Sequence, residues 1–442
     1  MQLNKKIADI VDKMQKDLIK RRRDLHKYPE PGWTEFRTAS LVAKELTELG
    51  YIVQTGTDAI KPSSMMGVPA VSILKTAQKR ALQQGADANW VKKMTGGLTG
   101  IVATMQFSSN GPIVAIRFDM DSNDVSEIKS VDHRPYREGF ASVNENAMHA
   151  CGHDGHTTVG LAVAEILAEL KNDLKGTIKL IFQPAEEGVR GARAMVENGD
   201  VDDVDYMLGA HFGFKMKKTG SIACNVKGFL ATSKYDVSYK GIPAHAGAAP
   251  EKGKNALLAA CCAVLNLHAI SRHSEGVSRI NVGTIEAGSG RNVIGDKALI
   301  KLETRGGTSN INEYMENEAL RIVKAAAQMY DVEVQIEKVG GAAGANNTPE
   351  LAQYIQKEAH ALNIFDTIVD NCDFGASEDF SYFMERVQKN GGQAAYIMIG
   401  ADLAAGHHDS RFDFDEKALG YAVKIISSTA TGLLLMDNIL NN

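Results

Sequence analysis

The segment MHACGHDGHTT, residues 148–158, packs Cys151, His153, Asp154 and His156 into six residues, with His149 just upstream. Thiol, imidazole and carboxylate at this density are metal-ligand chemistry, because a bound cation deprotonates a coordinating thiol and thiolate is the stronger ligand. The bland alternative is a buried structural cysteine with capping histidines. A structural zinc finger needs closely paired Cys/His knuckles, and the sequence has none. The complement of the segment lies downstream. QPAEEG sets Glu186 beside Glu187, His211 follows, and GHHD sets His407 beside His408. Donors gathered from distant segments describe a catalytic metal centre.

The flanking patterns indicate the scaffold that gathers them. Runs rich in β-branched residues at 101–105 and 112–121 read as buried strands, the second ending in Asp119 and Asp121. Residues 157–170 read as a helix apolar on most faces. Residues 177–184 form a strand ending at the glutamate pair, and 205–211 a strand ending at His211. Strand and helix alternating, with polar groups at strand ends, predict an α/β fold: a mostly parallel sheet flanked by helices, with a site along one edge.

The pattern changes after Cys224. Residues 235–241 alternate like a half-exposed strand, 255–271 read as a helix, SRINVGTIEAG and KALIKLETRG as strands, 311–330 as a helix and 331–339 as a strand. The order β-α-β-β-α-β is ferredoxin-like α+β. The expected organisation is a first part of a catalytic domain at 1–226, an inserted ferredoxin-like domain at 227–340, and the rest of the catalytic domain at 341–442. Residues 57–97 read as an insertion beside a strand.

Composition excludes other classes. Net charge is −5, with 44% apolar and 23% charged residues, which offers nothing to nucleic acid or an anionic membrane. The one dense basic spot, Arg21 to Arg23, ends a helical pattern and reads as a solvated face. Five cysteines, an odd number of which only Cys261 and Cys262 are grouped, are no disulfide framework, so a reducing, cytoplasmic setting is expected. The amino-terminal residues show neither a signal-peptide pattern nor a membrane span. No GxSxG elbow supports a serine hydrolase.

Adjacent carboxylates at a strand end can divide labour, one toward a cation and one toward water as general base. Of His407 and His408, neighbours in sequence, only one is expected to face a given site. Arg305, at a strand end, can hold a carboxylate bidentately, or lie on the surface.

RRDLHKYPEPGWTEFRTA, AIRFDMD, MHACGHDGHTT, IFQPAEEGVRGA, PAHAGAAPEKGKNAL, GSGRNVIGD, SEDFSYF and HHDSRFDFDE carry a family resemblance over nearly the whole chain. The chain resembles the dinuclear metal-dependent amidohydrolases that include hippurate hydrolase, N-acyl amino acid deacylases and auxin-conjugate hydrolases. The resemblance implies a zinc-exopeptidase-like fold with an inserted lid or dimerisation domain. It implies Cys151, His153, Glu187, His211 and His408 as ligands of two divalent metal ions, with the Cys151 thiolate bridging, and Glu186 as general base and acid. It implies that His245, in PAHAG, reaches the active site of a partner chain and that Asn292 and Arg305 hold the substrate's carboxylate end. Donor softness favours zinc and the resemblance favours manganese. The implied substrate is a small N-acyl amino acid, an aromatic acyl group amide-linked to a C-terminal residue such as glutamate. The implied assembly is a homodimer or a heterodimer with a homologous chain. The alternatives are a broader N-acyl amino acid or dipeptide hydrolase and a catalytically silent binding subunit. One departure stands out: many relatives carry Asn-Pro after the last histidine, and this chain has Asp409 and Ser410.

Overall fold

The computed structural model describes residues 2–436, which form two compact units. Within the described residues, the first comprises 2–227, 346–374 and 382–436, and the second 228–345 and 375–381. The second unit thus runs past the expected boundary at 340 and takes a short return from the carboxy-terminal segment.

The first unit begins with α1 (Gln2–Lys27) and α2 (Phe36–Glu48), then β1 (Ile52–Thr55). The 57–97 insertion carries α3 (Val71–Gln83) and α4 (Ala88–Lys93), both packed on α2. The ligand-bearing stretch holds β2 (Ile101–Gln106), β3 (Ile113–Asp119), the short α5 (Arg134–Arg137), α6 (His153–Glu169), β4 (Thr177–Gln183), the short α7 (Ala192–Val196) and β5 (Tyr206–Phe212). Short strands β6 (Ser221–Ala223) and β7 (Val226–Lys227) lead out of the unit.

The second unit follows as β8 (Ala231–Lys240), α8 (Ala256–His268), β9 (Ser278–Ala287), β10 (Lys297–Gly306), α9 (Ser309–Met329) and β11 (Glu333–Ala342). The chain continues through α10 (Pro349–Leu362), β12 (Thr367–Val369), β13 (Cys372–Asp373), α11 (Phe380–Lys389), β14 (Gln393–Ile399) and α12 (Lys417–Leu434).

The large sheet has the order β1-β2-β4-β3-β5-β14-β6-β12. Its central strands β4, β3, β5 and β14 run parallel, and the β1-β2-β4 edge is antiparallel. The central strands are buried along almost their whole length, which is why they read as continuous apolar runs: helices cover both faces of a parallel sheet. Helix α1 buries Ile7, Val11, Leu18 and Leu25 at helical spacing. It packs on α6 and α12, which in turn lie on β3. Gly160 lets α6 approach closely, since a Cβ there would sit 2.7 Å from both Phe118 and Phe182. Parallel pairing puts Asp119, Gln183 and Phe212 at one edge of the sheet, and the chemistry gathers there.

The second unit is the ferredoxin-like unit that its strand and helix order predicts. Its antiparallel sheet has the order β11-β8-β10-β9. Tyr235, Val237 and Tyr239 from β8 and Ile300 and Leu302 from β10 pack against Ala260 and Ala263 of α8 and Met315 and Val323 of α9. Side-chain caps start both helices: Asn255 accepts from the Leu258 N–H and Thr308 from the Ile311 N–H.

Two sequence readings fail here. Helix α6 begins at His153, four residues before the expected start, so a proposed ligand sits on its first turn. The Arg21 to Arg23 run is no solvated face. Arg22 is completely buried, with Asp154 at 2.8 Å and Asp413 at 3.0 Å, and Arg23 forms a bidentate pair with Glu416. Carboxylates from distant segments converge on these arginines, and no local pattern announces them. Among the described residues, no helix is long and apolar enough to cross a membrane.

Candidate metal centre

The site is assembled from four loops at the sheet edge. Gly152, in the left-handed region at φ 91°, turns the chain into α6 and leaves Cys151 and His153 on the same side. The loop after β4 is fixed by two buried carboxylates. Asp121 accepts the backbone N–H groups of Glu186 and Glu187 at 3.0 and 2.9 Å, one on each oxygen. Glu35 accepts the N–H of Ala185 at 2.8 Å and the Thr99 hydroxyl at 2.7 Å. Burial and the nearby Asp121 push the Glu35 carboxyl up to about 8. Ala185 and Val189 are left-handed at φ 51° and 60°. A β-branched residue there is strained by about 1–3 kcal/mol, which the surrounding hydrogen bonds must offset.

Two of the resulting three-donor clusters include Cys151, each with donor atoms within 4.8 Å of one another. Cys151, His153 and His211 form one, Cys151, Glu187 and His408 the other, and the sulfur is common to both. Glu186 lies with His153 and Glu187, its carboxylate 4.0 Å from His153 Nε2.

The donor set suits cations. His153 Nδ1 donates to the Asp121 carbonyl at 2.9 Å, which aims Nε2 into the cluster. His211 Nδ1 donates to the Phe212 carbonyl at 2.7 Å, which frees Nε2 to face Cys151 Sγ at 3.5 Å. Carbonyls placed behind an imidazole in this way set the tautomer that binds metal. His153 Nε2 and Glu187 Oε1 are buried without a hydrogen-bond partner among the described residues. Glu187 Oε1 also lies 3.4 Å from His408 Nε2, at ion-pair distance. Burial pushes His153 down, yet Asp119 and Asp121 outweigh it and raise the ring to about 10. A field that favours positive charge on that ring favours a positive ion beside it. Burial pushes Glu187 up, but His408 and His153 hold it at about 2, an acceptor ready for a cation.

The other histidines of the motif have different roles. His156 donates from Nδ1 to Asp119 at 2.6 Å and accepts the Phe212 N–H at Nε2, so both nitrogens are engaged. His149 is buried near His26, its rings 6.4 Å apart, and joins neither cluster. The expectation that only one of His407 and His408 faces the site is wrong. His408, left-handed at φ 66°, turns toward Glu187, while His407 Nδ1 lies 3.7 Å from Cys151 Sγ. The positive φ reverses the side-chain direction between neighbours, which extended geometry would have kept apart.

The 57–97 insertion is latched to the glutamate loop. Arg190 donates to the carbonyls of Glu187 and Gly67, and the Trp33 indole donates to that of Met66. A cavity of about 470 Å³ opens between them, lined by Pro31, Ile73, Thr76, Arg80, Asp124 and Arg190 among others.

In the second unit, His245 is exposed. Its Nδ1 accepts the N–H groups of Gly247 and Ala248 at 3.1 Å, which fixes the proton on Nε2. Asn292 lies beside it, its carbonyl accepting the Ala246 N–H. Arg305 pairs with Glu303, two residues away on β10, at 3.0 Å. Glu35, Asp121 as a backbone acceptor, and the Arg22–Asp154 pairing are functional features that the sequence reading missed. Each works through backbone amides or a distant partner, and spacing carries no signal for either.

A sheet edge presenting a shared thiol, imidazoles and paired carboxylates defines the donor set of a metal-dependent hydrolase. The chain belongs to peptidase family M20/M25/M40, whose model matches residues 115–431. It is 50% identical over 410 residues to one of the subunits of p-aminobenzoyl-glutamate hydrolase from Escherichia coli (strain K12), covering 92% of this chain and 94% of that protein. It is 47% identical over 410 residues to the indole-3-acetyl-aspartic acid hydrolase of Enterobacter agglomerans, again covering 92% and 94%. Among solved structures, the aminobenzoyl-glutamate utilization protein from Klebsiella pneumoniae superposes with a TM-score of 0.83 at 38% identity, covering 98% of each chain.

Proposed function

We propose that the chain hydrolyses the amide bond between an aromatic acyl group and an acidic amino acid, with p-aminobenzoyl-glutamate as the preferred substrate. The observation that carries the chemistry is the pair of donor clusters sharing Cys151, with Glu186 beside them. The two relatives above support the substrate class: their names specify a glutamate and an aspartate conjugate, each with an aromatic acyl group.

In this reading Cys151, His153, Glu187, His211 and His408 hold two divalent ions, manganese or zinc. The ions would polarise the scissile carbonyl and acidify the attacking water. Glu186 takes one proton from that water as the oxygen adds to the carbonyl carbon. The same carboxyl then gives its proton to the amide nitrogen as the C–N bond breaks, releasing acid and amine. Asp121 and Glu35 hold the loop so that Glu186 needs little reorganisation.

We assign His245 to the site of a second chain, either a copy of this one or a homologue. Its exposed Nε2–H is a donor suited to a carbonyl oxygen. Helix α8 also exposes Leu258 and Leu265, with Cys261, in one stripe, and β9 is an open sheet edge. Mixing inactive Glu186→Gln chains with inactive His245→Ala chains is therefore expected to restore activity, since a mixed dimer owns one intact site. Absence of recovery after demonstrated exchange of chains would remove His245 from a partner's site.

The substrate assignment is tested by a hydrolysis screen with added manganese or zinc. p-Aminobenzoyl-glutamate is expected to exceed hippurate in kcat/KM. Amidation of its α-carboxylate is expected to lower kcat/KM by about tenfold to over a hundredfold, the loss of a charge-assisted hydrogen bond. Faster turnover of hippurate would replace the narrow substrate with a broad N-acyl amino acid range. Metal-loaded protein without any turnover would make the chain a silent binding component.

A further inference from the structure

We infer that His407 is a hydrogen-bond donor to the Cys151 thiolate and so sets how strongly that sulfur donates to the ions it holds, an inference that rests on Cys151 being a thiolate ligand. Two imidazoles, His211 and His407, lie at hydrogen-bond distance from the sulfur, and the backbone gives them opposite roles. The Phe214 N–H donates to His407 Nε2 at 3.0 Å, so that nitrogen presents its lone pair and the ring proton resides on Nδ1. Nδ1 lies 3.7 Å from Cys151 Sγ. His211 is the reverse, with its proton on Nδ1 given to the Phe212 carbonyl and a bare Nε2 toward the sulfur at 3.5 Å. One ring therefore offers the sulfur's neighbourhood a lone pair, where a cation belongs, and the other offers a proton.

The His407 ring is held for this task. It stacks on Phe214 with centroids 4.1 Å apart and leans on Phe412 at 5.1 Å. An N–H pointed at a thiolate withdraws charge from it. The sulfur would then donate less density to an ion that it holds. Ions held there would keep more Lewis acidity for a substrate carbonyl. His407 is thus a positioning residue: it touches the ligand and not the reacting atoms.

Cobalt(II) loaded into the protein reads this directly, through the sulfur-to-cobalt charge-transfer band. His407→Phe keeps the stacked ring and deletes the N–H. The band is expected to move to longer wavelength, because a sulfur without its donor gives up an electron more easily. His407→Asn, whose amide N–H can take the place of Nδ1–H, is expected to return the band toward its original position. If the phenylalanine variant does not fold, His407→Leu against His407→Asn makes the same comparison. Wild-type protein with no such band, or a band that survives in Cys151→Ser, would defeat the thiolate reading and this inference together. A thiolate band present in wild type and unmoved in His407→Phe would overturn the inference alone.

Discussion

Glu186→Gln is expected to keep its fold and its metal and to turn over about 10²–10⁴-fold more slowly. The amide is nearly isosteric with the carboxylate but cannot take a proton from water. The backbone N–H of Glu186, not its side chain, anchors the loop to Asp121, so the substitution leaves the loop restraint in place. Glu187 keeps its own bond to Asp121 and its place in the cluster with Cys151 and His408. The loss should therefore fall on kcat, with metal content by elemental analysis unchanged. Near-wild-type kcat in a metal-loaded variant would remove Glu186 from proton transfer. A kcat loss that tracks a loss of metal would instead make Glu186 a ligand.

Legibility in the sequence followed the range of the interactions. The ligand-rich loop, the glutamate pair and the order of strands and helices are local patterns, and they single out Cys151, His153, Glu186, Glu187 and His211 without help from tertiary structure. Periodicity also separated the ferredoxin-like unit from its surroundings. What spacing could not show is which atom of a side chain does the work. The tautomers of His153, His211 and His407 depend on the Asp121 and Phe212 carbonyls and the Phe214 amide, groups that nearly every residue has. The left-handed turn at His408 that lets both histidines face the site has no glycine to announce it. The segment 375–381 joins the second unit through contacts made far from its place in the chain. The buried arginine was misread for the same reason: a run of three basic residues is usually solvated, and only tertiary packing shows the acids that claim it.

That buried network carries the second large effect. Arg22→Met preserves length and much of the volume while removing a charge that is fully enclosed. Asp154 and Asp413 then lose their pairing at 2.8 and 3.0 Å, and Glu416 a contact at 3.4 Å. Removing one partner of a buried pair leaves uncompensated charge, which costs about 3–5 kcal/mol. The cation also sits 4.5 Å over the Phe414 ring, a contact that methionine replaces only in part. Because Asp154 follows His153 on the first turn of α6, the loss should loosen that turn as well. Denaturant unfolding of metal-free protein, followed by a probe in the first unit, should show the drop. A loss below about 1 kcal/mol would mean that the acids relax into water and the network is dispensable. The pH dependence supplies an independent check. Burial and Arg22 lower the His26 ring, but hydrogen bonds to Asp154 and Glu127 outweigh them and raise it from 6.5 to about 9. A raised folded-state value means that the proton binds more tightly in the native protein. Its contribution is therefore complete below about pH 6.5 and is lost as pH climbs through about 9, a span worth roughly 3 kcal/mol. Asp154, held well below the usual carboxylate range against the penalty of burial by Arg22 and His26, acts at the other end, with a contribution lost only as pH falls below about 4. His26→Gln should reduce the alkaline arm of the stability profile, with His153 supplying a remainder, while Arg22 keeps most of the acid arm in place. An alkaline loss that persists undiminished in that variant would place the titrating group elsewhere.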